Sequence, residues 1–104
     1  MLDLRPNCEL CDKDLPPHAE DARICTYECT YCADCVEQVL QNVCPKCGGN
    51  FEKRPIRPQK AWRTEFKLGL EYNPASSKRI HNRFSLENIK DHVKRIAHLA
   101  PKDR

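Results

Sequence analysis

The residues with chemistry to offer are eight cysteines, arranged as Cys8-x-x-Cys11, Cys25-x-x-x-Cys29-x-x-Cys32-x-x-Cys35 and Cys44-Pro45-Lys46-Cys47. Two thiolates held two residues apart in a tight knuckle can reach one tetrahedral zinc ion at about 2.3 Å each. Eight thiolates supply two closed four-sulfur sites, leaving no coordination position for water, so the metal they imply is structural. Repeated pairs at this spacing suit zinc better than an iron–sulfur cluster, which places three cysteines in one tight series with a distant fourth. The run from Cys25 to Cys35 is the feature that keeps the cluster alternative open. A disulfide framework is disfavoured because the two sulfurs of a Cys-x-x-Cys pair are poorly placed to bond each other without strain. The stretch Met1–Pro6 has neither the basic nor the apolar region of a secretory signal, which points to the reducing cytoplasm. A thioredoxin-like redox role needs a βαβ context, and none is visible.

Two pairings are open. A sequential one groups Cys8, Cys11, Cys25 and Cys29, then Cys32, Cys35, Cys44 and Cys47. An interleaved one puts Cys8, Cys11, Cys32 and Cys35 on the first zinc and Cys25, Cys29, Cys44 and Cys47 on the second. Cys29 and Cys32 are only three positions apart, so sequential sites would press two metals together. Interleaving is favoured, with the metals on either side of a short central helix.

The elements that must position these thiols are sparse. The chain has 104 residues, 39% hydrophobic with the cysteines included and 32% charged. That suits one small domain with an appendage and excludes a transmembrane helix or a large pocket-bearing enzyme domain. The formal charge of +3 hides a split: residues 1–50 sum to −5 and residues 51–104 to +8. Thiolates and zinc ions would deepen the negative pole, which favours packing of one half on the other. We divide the chain into a zinc module (1–50), an extended basic, proline-rich connector (51–61) and a basic extension (62–104).

A helix is expected from Asp34 to about Gln41, with Asp34 as its N-cap and Val36, Val39 and Leu40 on one face. With Ile24, Val43 and Phe51 this core is too small to fold without metal, so zinc binding must supply the difference. Residues 62–72 alternate Trp62, Thr64, Phe66, Leu68, Leu70 and Tyr72 with polar residues or glycine, a strand pattern. Trp62, Phe66 and Leu70 also recur every four, and without a hairpin partner the segment reads as helical or irregular. Its apolar face is expected to pack on the zinc module. From Ser85 the pattern is clear. Leu86, Ile89, Val93, Ile96 and Ala100 predict an amphipathic helix over about 86–99, capped by Ser85, stopped by Pro101 and basic on its back at Lys90, Lys94 and Arg95.

The eight-ligand series resembles an all-cysteine RING finger, with Cys29 where most such domains have histidine. More closely, residues 1–82 resemble a bacterial domain-of-unknown-function family of small eight-cysteine proteins. The resemblance is carried by Leu4-Arg5-Pro6-Asn7-Cys8, Leu15-Pro16-Pro17, Arg23-Ile24-Cys25 and Cys32-Ala33-Asp34-Cys35. Cys44-Pro45-x-Cys47-Gly48-Gly49, Arg54-Pro55-Ile56-Arg57-Pro58 and Pro74-Ala75-Ser76-Ser77 extend it. It implies a zinc-binding bacterial protein of unassigned activity. The RING resemblance implies contact positions for a partner at Leu10, Val39 and Pro45. Val39 departs from the tryptophan common among active members, and Gly48 from their arginine, so a ubiquitin-ligase-like adaptor is a distant alternative.

The expectation is a small α+β, zinc-stabilised domain with a RING-like cross-brace, one short central helix and a C-terminal amphipathic helix. Its function is expected to be non-enzymatic: a cytoplasmic protein-interaction scaffold with two structural zinc ions and a protein partner. Nucleic-acid or regulatory binding through the basic half is the alternative, prompted by Trp62, Phe66 and Tyr72 among basic side chains. Self-association through the C-terminal helix is a further option, and a membrane is not expected. His18, His81, His92 and His98 are not needed as ligands and are read as surface residues. No catalytic constellation, P-loop or nucleotide signature is present.

Overall fold

The computed structural model describes residues 1–104. Three short antiparallel strands form its sheet, in the order β2-β1-β3: β1 is Ala22–Ile24, β2 Thr30–Cys32 and β3 Glu52–Lys53. Arg23 stands opposite Tyr31 on one side and Lys53 on the other. Only 16 of the 41 backbone hydrogen bonds lie within helices and strands, so turns and loops hold most of the chain. β3 falls inside the stretch expected to be a connector. It is an edge strand that ends before Pro55, which has no N–H to give a ladder.

β2 leads directly into α1 (Ala33–Cys35), which widens into a π-helical turn over Val36–Leu40. The expected N-cap at Asp34 is corrected by this geometry. The cap position is Cys32, without a side-chain cap bond, and Asp34 sits exposed in the first turn. Gln41 and Asn42 end the turn in left-handed conformations (φ 46° and 59°). Asn42 then accepts the Phe51 N–H on Oδ1 at 2.8 Å, fastening the helix end to the start of β3.

The core is one cluster of sixteen buried residues, six of them cysteines. Leu15, Leu40, Val43, Phe51 and Tyr31 fill the space between the thiols, with the Tyr31 and Phe51 rings edge-to-face at 5.4 Å. Two members, Ile89 and Val93, come from the far end of the chain, on α2 (Leu86–Ile96). Ser85 caps α2 by accepting the Asn88 N–H at 3.1 Å. The helix stops at Ile96, so Leu99 and Ala100 lie beyond it, and Leu86 is exposed on the first turn.

Residues 62–72 depart from the expected packing. One 3₁₀ turn (Thr64–Phe66) is the regular structure there, and Trp62, Phe66, Leu68 and Tyr72 are all exposed, Trp62 by 80%. Lys67 and Gly69 take positive φ (52° and 95°), which neither a strand nor a helix accommodates. Gly69 lies against the Lys60 carbonyl, where a Cβ would stand 2.7 Å from the oxygen. The Leu70 N–H bonds Pro58 O at 2.8 Å, and the Glu71 carboxylate accepts the Ala61 N–H at 2.9 Å. The segment therefore closes on itself, with Leu70 half-buried and its other large apolar side chains turned outward.

The two halves are tied by named bonds. Arg57 donates to Leu2 O and Asn73 O, and Ser76 N–H to Leu4 O. Arg79 forms ion pairs with Asp12 and Asp14 at 3.0 and 2.6 Å. Arg104 reaches Asn42 O at 3.0 Å. No helix is long and apolar enough to cross a membrane. The radius of gyration is 14.9 Å, above the value of about 13 Å for a compact chain of this length.

Candidate metal centre

The first knuckle sits on a hairpin of residues 6–15. Leu15 N–H bonds Pro6 O and Cys8 N–H bonds Lys13 O, both at 2.8 Å, and Asp12 N–H returns to Cys8 O at 2.9 Å. The knuckle at Cys44–Gly48 repeats that closure: Gly48 N–H returns to Cys44 O at 2.9 Å. The residue after the second cysteine has positive φ in both, 67° at Asp12 and 79° at Gly48. Glycine adopts that conformation freely, whereas aspartate needs support. Asp12 receives it from Asn7 Nδ2 and Arg79 Nε, at 3.0 and 3.1 Å to Oδ1.

Cys8, Cys11, Cys32 and Cys35 bring their sulfurs within 4.8 Å of one another. Cys11 and Cys32 are 3.7 Å apart, sulfur to sulfur. A tetrahedron with a centre-to-sulfur distance of about 2.3 Å has an edge of about 3.8 Å. Cys25, Cys44 and Cys47 form a second group under the same 4.8 Å limit. Cys29 is outside that three-membered group, although the Cys25 and Cys44 thiols are close enough to shift its protonation. The two groups draw alternately on the sequence because β2 separates them. Cys29 precedes the strand and Cys32 ends it, and three steps of extended chain span about 10 Å.

The environment favours thiolate at Cys11 and Cys25 and the protonated thiol at Cys29, Cys32, Cys35 and Cys44. Tyr27 N–H donates to Cys25 Sγ at 3.4 Å and Gly49 N–H to Cys47 Sγ at 3.3 Å. Hydrogen bonds from Cys29 and Cys44, with the Tyr27 and Cys29 backbone, bring Cys25 down to about 2 against the opposing effect of burial. Its neighbour Cys29, donating to it, is pushed up to about 11. In the first group burial pushes Cys35 up. At Cys11 burial acts in the same sense but is outweighed by the Lys13 N–H and the surrounding thiols, so its thiol is lowered. A divalent cation binds the thiolate form and releases the protons of the remaining thiols.

Of the partner-contact positions, Pro45 is buried, and Leu10 and Val39 are half-buried against the core cluster. Several supporting residues had no sequence signal strong enough to single them out. Asn7, fully buried, donates to Cys8 O and exchanges two bonds with the Ile80 backbone. Glu9, also buried, accepts from Arg5 at 3.0 Å and from the Thr30 N–H. His92 is not a free surface residue, for its Nε2–H donates to Cys44 O at 3.0 Å and joins α2 to the second group. Arg54, 1% exposed, donates to the carbonyls of Arg5, Leu15 and Pro16. Asn7 and Arg54 both lie inside the motif strings that carry the family resemblance, and that was the available hint.

Fold and site together define a small α+β domain whose core is organised around two cysteine groups able to hold metal ions. The chain belongs to the family described as "Protein of unknown function (DUF1272)", whose model matches residues 1–57. It is 51% identical over 80 residues to "Uncharacterized protein R02474" of Rhizobium meliloti (strain 1021), a match covering 77% of this chain and 86% of that protein. No solved structure matches the chain.

Proposed function

We propose that the protein is a structural-zinc module, a RING-like cross-brace holding two tetrathiolate zinc ions, that acts in the cytoplasm as a non-enzymatic protein-interaction scaffold. Cys8, Cys11, Cys32 and Cys35 bind one ion and Cys25, Cys29, Cys44 and Cys47 the other. The 3.7 Å separation of the Cys11 and Cys32 sulfurs, the edge of a zinc–thiolate tetrahedron, carries this reading. Full coordination by sulfur leaves the ions no open position for substrate, so their role is to complete a core that is six-sixteenths cysteine. Elemental analysis should find two zinc ions per chain, and cadmium-substituted NMR should connect each cysteine to its ion. A cross-peak set joining Cys8 and Cys25 to one ion would overturn the interleaved assignment. Strong chelation should collapse residues 8–47 to coil; an unchanged far-UV spectrum would refute the zinc reading.

The outward-facing aromatic residues support the interaction role. They also favour one second reading, single-stranded nucleic acid, because Trp62, Phe66 and Tyr72 are exposed beside Lys60, Arg63 and Lys67, with Lys60 Nζ 5.9 Å from the Trp62 ring centre. Trp62 is the chain's single tryptophan, so its fluorescence reports this face directly. Quenching by an oligonucleotide that weakens steeply with salt supports nucleic acid; no quenching at low ionic strength removes it.

A further inference from the structure

The segment 80–84 forms one wall of a cleft of about 430 Å³, within the range of small-molecule sites. The wall is pinned, since Ile80 exchanges backbone bonds with the buried Asn7 side chain, and Asn82 donates twice to Glu9 O, at 2.8 and 3.2 Å. Arg5, Lys46 and Arg83 bring three permanent positive charges to the lining. The single carboxylate there, Glu9, is already held by Arg5 and the Thr30 N–H. Lys46 and Arg83 make no ion pair with any residue of the chain. Phe84 and Ile80 give the cleft an apolar side. Tyr31, 2% exposed, also lines it. Its hydroxyl makes no hydrogen bond within the protein, and it is not among the sealed polar atoms, which comprise Arg54 Nε alone. Its hydroxyl therefore keeps some contact with solvent, and the residue lines the cleft.

We propose that this cleft binds a small organic anion, a carboxylate or phosphate group on an apolar body. The anionic group is met by Lys46 and Arg83 and takes a hydrogen bond from the Tyr31 hydroxyl, while the apolar body lies against Phe84 and Ile80. The cleft borders the second cysteine group, since Cys29 lines it and Lys46 lies within the Cys44–Cys47 knuckle, but none of the groups assigned to the ligand is a cysteine. The test is an amide-shift titration of the 104-residue chain, prepared with zinc, using phenyl phosphate and benzoate, with benzyl alcohol as the neutral control. At least one anion should give saturable shifts at Thr30, Tyr31, Asn82 and Phe84. The Lys46→Ala/Arg83→Ala double variant should weaken binding at least tenfold, and Tyr31→Phe several-fold. Arg83→Ala alone serves if the double variant does not fold. Absence of saturation with both anions, an equal response to benzyl alcohol, or unchanged affinity in the basic-residue variants would overturn the proposal. So would a variant that loses metal while keeping its affinity for the probe, because the two cations would then serve the thiolate charge.

Discussion

The basic half contains two stretches of similar apolar content, and the protein treats them in opposite ways. Leu86–Ile96 buries Ile89 and Val93 in the cysteine core, while residues 62–72 turn Trp62, Phe66, Leu68 and Tyr72 to solvent. The difference does not lie in the amount of hydrophobic surface. In α2 the 3-4 spacing gathers apolar groups on one stripe, Ser85 starts the helix and the backbone satisfies its own bonds. That stripe then meets Gly48, where an added Cβ would lie 3.5 Å from Ile96 Cδ1. Along 62–72 the close approach of Gly69 to Lys60, with left-handed turns at Lys67 and Gly69, breaks any period before it can present one face. A hydrophobic pattern secures burial only where the backbone can hold the period and a complementary surface exists to receive it.

Substitutions should separate the two stretches. The largest effect is expected from Ile89→Ala, at a fully buried site, which should lower unfolding stability by about 2–5 kcal/mol in chemical denaturation of the metal-loaded protein. Next comes Gly69→Ala, which places a Cβ against a backbone carbonyl at positive φ. It should cost about 1–3 kcal/mol locally, read as faster hydrogen exchange at Leu70 N–H, with α2 protection unchanged. Ser85→Ala removes the α2 cap and should cost about 1 kcal/mol, measured as a lower thermal midpoint. Trp62→Ser should change stability by less than about 0.5 kcal/mol. A larger loss would mean that the exposed loop contributes to the core after all, and the contrast between the stretches would fall.

Local signals were legible where they are self-contained. Ser85 and the 3-4 spacing marked the start and core face of α2 because a cap and a helical stripe need only nearby residues. The C-terminal end was overextended by three residues, since Leu99 continues the pattern while the backbone stops at Ile96. The central helix was legible in place but not in kind. Its cap is at Cys32 and its second part is a π turn, shaped by the two left-handed residues at Gln41 and Asn42 that let Asn42 reach Phe51. Arg54 was the most misleading residue. Set after Lys53 and before Pro55 in the basic, proline-rich stretch, it reads as one more charge of an extended connector, yet three carbonyls from residues 5, 15 and 16 enclose it. Those acceptors are up to 49 positions away, and no local pattern reports them.

The sequence by itself determined which atoms can do chemistry: eight thiols in knuckles short enough to converge, and a capped amphipathic helix with one apolar stripe. Only the tertiary structure decided how the thiols group, because that depends on β2 separating Cys29 from Cys32 and on Asn7 and Arg79 holding the Asp12 turn. It also decided where the second half lies. Spacing is a property of the covalent chain, whereas burial and pairing are set by contacts between residues far apart along it.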